Sequence, residues 1–430
     1  MKIRIFICSV LFIFSLMYVF FNQKYTKRIS IVNGYTKEFS VNKGEDVVAY
    51  LQPNIEHKKG VVLIYDLHGN SIDSVVGNFI FQDTLYKTKI FEKGYGYKNT
   101  IRYNTSKLKS GIYLFGNVVP FLVKDTAVKK AITVVFPYAN IVALCNDGGK
   151  SFYVYNSSNN IAATTLSLNR QVNFNAGLFY FLQWMDSACA NKNIIIISDL
   201  DLDNYRNIGN SKLLLLYGNS VFWTYYARKN FDNFQKRGGN VLAIATSIMN
   251  NQFRYEKKHH SIIIVSAPKI DTTRKVVDKP VLLSEQIFNY PNYYSVGCSY
   301  EIINEGNAKQ KSFGGFRIID KQNQLFKNVA ADVIQFKSSF YNSLKVINET
   351  QKHTLNADKT FGNFYSKEIL AYDFGVYGER QTLGGIFLMQ KTKTSGKLLL
   401  IGVEEWCEIE NFKNKNIPTV TKNCLDYLTQ

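Results

Sequence analysis

From residue 30 to about 126, apolar and polar residues alternate in short runs closed by turn residues. GYTKEFSVNKGEDVVAYLQP carries two strands around Lys43, Gly44, Glu45 and Asp46. GVVLIYDLHGNSIDSVVG carries two around His68, Gly69 and Asn70, and SGIYLFGNVVPFLVKD two around Gly116 and Asn117. No helical period of useful length intervenes, so the spacing predicts an all-β sandwich over 30–126.

After the linker TAVKKA (126–131) the pattern changes. ITVVFPY reads as a buried strand, GLFYFLQWMDSAC as a helix and NIIIISDLDLDN as a strand ending in acids. LLLLYGNS, YARKNFDNFQKRGG and NVLAIATS then read as strand, helix with a glycine stop, and strand. GKLLLIGVEEW adds a strand and TVTKNCLDYLT a closing helix. Such alternation predicts an α/β domain over 131–430, a mostly parallel sheet with flanking helices.

The chain opens with Lys2 and Arg4 before an unbroken apolar run from Ile5 to Phe21. No small-residue cleavage pattern follows, so residues 1–28 read as an uncleaved signal anchor. The chain would then cross the membrane once through residues 5–21, with 30–430 periplasmic or extracellular; a cleaved secretory signal is the alternative. Five of the six cysteines lie beyond this segment, widely spread, with no CxxC and no Cys/His cluster. A disulfide framework and a structural zinc site are thereby excluded, though Cys407 and Cys424 lie where they could pair. The net charge of +19 invites a polyanion. The lysines are scattered singly, however, which reads as a solvated surface, and no nucleic-acid partner is expected.

Several stretches of the C-terminal three hundred residues, taken in order, are similar to one family. FPYANIVALCNDGGKSFYVY resembles a stretch AYNxxGGxSxY, with Asn146, Gly148, Gly149, Ser151 and Tyr153 in place. LSLNR resembles SxxRP with Gln171 for the proline, SDLDLDN resembles TDxDL, and YGNSVFWTYYARKNFDNFQKRGG resembles GxHxEYW…R…GG. GKLLLIGVEEW…NCLDYL resembles the closing GxVFxxGSxxW…NxL. The chain thus resembles the large (beta) subunit of N,N-dimethylformamidase. That resemblance implies a class I glutamine-amidotransferase-like fold, amide C–N hydrolysis, and a mononuclear iron held by two tyrosines and a glutamate.

The departures fall on the implied site. Asn219, Val221 and Phe222 occupy the three polar positions of HxEYW, and Trp223 is kept. Phe222 lacks the phenolate a hard ferric ion prefers, and Val221 has no acid–base chemistry. Glu301 is the one ligand position left, so no metal is predicted; iron follows only if the site survives.

Other chemistry is weighed residue by residue. Ser220 after a buried strand suggests a nucleophile elbow, but Phe222 takes the second glycine position. No histidine is an evident base, and Ser220 reads rather as a turn serine capping the helix that starts near Trp223. Cys145 and Cys298 read as buried small residues rather than thiolates. Asp199, Asp201 and Asp203 lack the glycine and closing glutamate of a calcium loop and read as caps. His259 and His260, being adjacent, cannot share one metal from a strand. EEWCEIE (404–410) gathers four carboxylates at a strand end, by default a solvated rim. Asp147, Gly148, Gly149 and Trp223 are expected to shape a pocket rim.

The expectation is an anchored, exported relative with a degenerate metal site, in a binding or scaffolding role toward an envelope protein or a small polar ligand. The alternative is a hydrolase of amide or glycan-type material using Glu301, with Asn219 as oxyanion donor and Ser220 as nucleophile.

Overall fold

The computed structural model describes residues 27–54, 57–98, 100–174, 176–264, 290–301, 313–337, 341–344, 364–377 and 380–430. The alternating N-terminal segment forms two sheets. Ile31–Thr36, Asp46–Pro53 and Ile101–Asn104 make a three-stranded antiparallel sheet. Ser40–Asn42, Val119–Lys124, Gly111–Phe115, His57–Tyr65 and Ser71–Phe79 make a five-stranded one, in that spatial order. Val47, Ala49 and Leu51 of the first pack with Val62, Ile64, Phe115 and Phe121 of the second in a common core.

The C-terminal region is built on an eleven-stranded sheet. Ile194–Ser198, Ala131–Phe136, Ser211–Tyr217, Asn240–Ile244 and Lys397–Ile401 lie side by side and parallel. Beyond Lys397–Ile401 the sheet turns antiparallel, through Arg380–Gln390, Ser366–Tyr377, Gly315–Ile318 and Val333–Gln335. Tyr341–Leu344 and Ser299–Glu301 branch from Arg380–Gln390, also antiparallel.

The four leucines show how the parallel flank is buried. Successive strand residues face opposite sides. Leu213 and Leu215 enter one core with Val134, Leu242 and Ile401, while Leu214 and Leu216 enter the other with Val135, Val241 and Leu400. On the first face pack Phe181 and Met185 of the helix Ala176–Ala188, and Val420 and Leu425 of Asn416–Thr429. On the second pack Ala227, Phe231 and Phe234 of Tyr225–Lys236.

Two expectations are corrected here. The mostly parallel α/β fold holds for five strands only; the other six are antiparallel, and the protein is β-rich with a large mixed sheet. The hairpin partners carry apolar runs as continuous as those of parallel strands, so composition did not separate them. Second, no helix among the described residues is long and apolar enough to cross a membrane. The single-pass, exported placement therefore has no support and is dropped; the anchor segment 5–21 lies outside the described residues.

The two regions are pinned together by charge. Lys124, at the end of a sandwich strand, pairs with Asp201, and Ser40 Oγ donates to the same carboxylate at 2.6 Å. Helix Tyr225–Lys236 is held by Arg228, which is fully buried, donates to Ser295 Oγ at 2.9 Å and lies 3.8 Å from the Tyr290 ring centroid.

The double glycine has two jobs. Gly238, at φ 89°, ends the helix with its amide on Gln235 O. Gly239 leaves room for the Phe234 ring, which a Cβ there would meet at 2.3 Å, and Gly396 approaches the same backbone so closely that its own Cβ would lie 1.9 Å from Gly239 O. Gly396→Ala is therefore expected to cost about 3 kcal/mol, read as a lower urea midpoint with unchanged slope.

Candidate functional site

Three parallel strands end at one cavity of about 320 Å³. Ala131–Phe136 runs through Pro137 into the helix Tyr138–Leu144, which contributes Asn140, Ile141 and Leu144. Ser211–Tyr217 ends at Gly218 and Asn219. Lys397–Ile401 leads into the turn Glu404–Cys407, which brings Glu404, Cys407 and Glu408. Asn173, Gly177 and Leu178 close the remaining side. Carboxyl ends of parallel strands are where open sheets leave room for ligands. Gly218 is required at its turn: φ is 69° and a Cβ would lie 2.8 Å from Leu178 Cδ2.

Two buried charges fix the helix Tyr138–Leu144. At its start, both carboxylate oxygens of Asp199 accept the Ala139 amide, at 3.1 and 3.0 Å. Burial raises Asp199 to about 7 despite that bond. At the other end, Arg170 is 1% exposed and has only carbonyl partners: Val142, Cys145, Asp147 and Ser167, at 2.8–3.0 Å. The guanidinium fork thus holds the last turn and the loop that carries Cys145 and Asn146 into the cavity wall.

The cavity's own charge is acidic. Burial, then Glu405 and Glu408, raise the Glu404 carboxyl to about 8, so it carries a proton at neutral pH. Burial and Glu404 also raise the Tyr155 phenol. Asn140 is 4% exposed, and its side-chain oxygen has no hydrogen-bond partner.

The residues singled out from sequence are scattered around this cavity. Asn219 lines it, its Oδ1 accepting the Ser247 amide at 3.0 Å. Ser220 is buried, and its Oγ accepts the Trp223 indole N–H at 3.0 Å. It does not cap the following helix; Thr224 does, accepting from the Ala227 amide at 3.0 Å, because Ser220–Trp223 is itself a short strand beside Ile248–Gln252. Val221 is half-buried, and Phe222 packs against Phe152 and Tyr153, with centroids 5.6 and 5.9 Å away. Trp223 is buried on the opposite face of the sheet, edge-on to Phe231.

Gly148 and Gly149, at φ 79° and 86°, turn the loop away from the cavity, where Gly148 packs on the backbone of Phe91. Asp147, its carboxyl raised by burial, goes with them and does not line the cavity. Glu301 sits in the strand Ser299–Glu301, paired with Tyr341–Leu344. Cys407 and Cys424 are both buried and both free, so the disulfide that sequence left open is absent.

Sequence reasoning did not single out Asn140, Asn173 or Leu178, which no motif marks. Glu404 and Glu408 were visible as a carboxylate cluster; what could not be seen is that one of them turns inward.

The implied iron does not fit these positions. Asn219, Val221 and Phe222 offer an amide whose oxygen is already engaged, an isopropyl group and a phenyl ring. Among the described residues no three His, Cys, Asp or Glu side chains are grouped to hold a metal.

These features define a β-rich, mixed-sheet protein with a polar cavity at the ends of its parallel strands. A family model described as N,N-dimethylformamidase beta subunit-like, C-terminal, matches residues 93–341, and the chain belongs to that family. No curated protein matches the chain. A solved structure, the mmIFT52 N-terminal domain, is similar over 58% of this chain and 90% of that one, at 10% identity and a TM-score of 0.33, too weak a likeness to carry an argument.

Two outcomes follow from the charges. A carboxyl raised from 4.5 to about 8 keeps a proton in the folded protein that the unfolded chain has released. Its contribution to stability is therefore present at low pH and lost as pH rises through that window. Glu404→Gln should unfold like the parent at pH 4.5 and become the more stable protein by pH 8.5, measured as thermal midpoints across pH. Arg170→Met should leave four carbonyls short of a donor and cost about 3 kcal/mol, seen in urea unfolding.

Proposed function

We propose that this chain is a small-ligand-binding member of its family, in which the iron position has been absorbed into the packed core. The observation that carries the reading is Phe222. It is 2% exposed and places a phenyl ring, packed on two other rings, where the family resemblance implies a polar group. A hard ferric ion needs oxygen donors there, and neither Val221 nor Phe222 has one. The degenerate site leaves the neighbouring cavity, with Asn140, Asn146, Asn173 and Asn219 in its wall, as the place that receives a small polar ligand.

Hydrolysis through Glu301 is the weaker reading. The Ser220 Oγ accepts the Trp223 indole N–H, and the Asn219 side-chain oxygen is taken by the Ser247 amide. An oxyanion donor without an activated nucleophile beside it completes no acyl-transfer site.

Elemental analysis of the purified chain tests the proposal. Iron far below one atom per chain, with no release of amine from N,N-dimethylformamide, is expected. Iron near one per chain that survives gel filtration, together with turnover, would overturn it.

A further inference from the structure

The cavity has a charge imbalance that its surroundings do not correct. Glu404 and Glu408 line it, while no lysine, arginine or histidine is among its described lining residues. This occurs in a chain of net charge +19, where a basic neighbour would be the ordinary expectation. The Glu404 backbone is fixed by its amide donating to Thr246 Oγ1 at 3.0 Å, so the carboxyl is held at this wall.

A second, independent observation comes from another element. Asn140, on the helix Tyr138–Leu144, is 96% buried and lines the same cavity, and its side-chain oxygen accepts no hydrogen bond. A buried acceptor left open costs free energy unless something donates to it. Here, then, are an open acceptor and two carboxyl groups with no basic residue among the described lining residues. Pro137, Ile141, Leu144 and Leu178 supply apolar wall in the same space.

We propose that the cavity binds a small primary alkylammonium ion, its N–H groups donating to Asn140 Oδ1 and the Glu404 carboxylate, its alkyl chain against Ile141, Leu144 and Leu178. This rests on the reading of the cavity as a ligand site and adds the charge and shape of the ligand. Burial and then the neighbouring Glu405 and Glu408 disfavour the charged form of Glu404; a cation at hydrogen-bond distance favours that form, and Glu404 ionises as the ligand enters. An ammonium group has three donors and no acceptor, which matches an acceptor wall better than a neutral amide does. A carboxylate ligand would meet Glu408 as a like charge and would offer no donor to Asn140 Oδ1.

Isothermal titration of the full chain with n-butylammonium, butyramide, butyrate and calcium is the test, repeated on Glu404→Gln and on Leu144→Trp, which fills the space. Expected is binding of n-butylammonium that weakens about tenfold or more in Glu404→Gln, disappears in Leu144→Trp, and exceeds that of butyramide and butyrate. Butyramide binding as tightly as n-butylammonium, insensitive to Glu404→Gln but lost in Leu144→Trp, would sink the ammonium assignment and leave the ligand cavity standing. Calcium that displaces n-butylammonium and needs Glu404 would reassign the site to a metal cation. Absence of binding by every probe would remove both readings. Circular dichroism melts of the two variants establish that a loss of binding is not a loss of fold.

Discussion

The buried guanidinium of Arg170 is the contact on which the cavity wall depends. It donates to four carbonyl oxygens, so what it supplies is above all hydrogen-bond geometry, with the Asp147 carboxyl near enough to act on it through charge. Those carbonyls belong to the last turn of Tyr138–Leu144, to the loop that follows, and to Ser167 near its own position. A lysine could satisfy fewer of them, and an apolar residue none. Asp199 does the complementary work at the start of the same helix. A seven-residue helix is too short to be stable alone. Here it stays rigid because a buried acid and a buried base hold opposite ends, leaving its middle, with Asn140, to face open space.

The mixed sheet explains why that space exists. Within the parallel flank all strands end on one edge, so Pro137, Gly218 and the turn after Ile401 come together without any pairing between them. The antiparallel strands beyond Lys397–Ile401 extend the core, and Glu301 lies on a branch of that extension.

What was legible in the sequence was whatever a period of two or of 3.6 could write. LLLLY, IIIIS, the helix ending at the double glycine and the closing helix all appear where the pattern puts them. Strand direction was not legible, since FLMQ and KLLLI read alike whether their neighbours run with or against them. SFYVY shows another limit: its apolar residues suit a strand, yet the loop folds into short 3-10 turns around Ser151 and Ser157, whose hydroxyls take up the backbone amides of Tyr153 and Ser151. Of the site, the change at Val221 and Phe222 could be read directly, because it is a change of chemistry at known spacing. The role of Asn140 could not, because it arises only when Arg170, Asp199 and the turn at Glu404 are brought together from distant parts of the chain.

The Asp201 carboxylate gives the linker at 126–131 a different meaning from that of a boundary. It receives Ser40 Oγ and Lys124 from the sandwich and the Ser198 amide from its own turn. Two residues earlier in that turn stands Asp199, clasped to the cavity helix. The sandwich thus works as a splint for the cavity, its grip transmitted through consecutive acids of a single short turn. Residue 126 is thus less a boundary than a joint: Lys124, two residues before it, ties the sandwich to the turn that holds the first turn of the cavity helix.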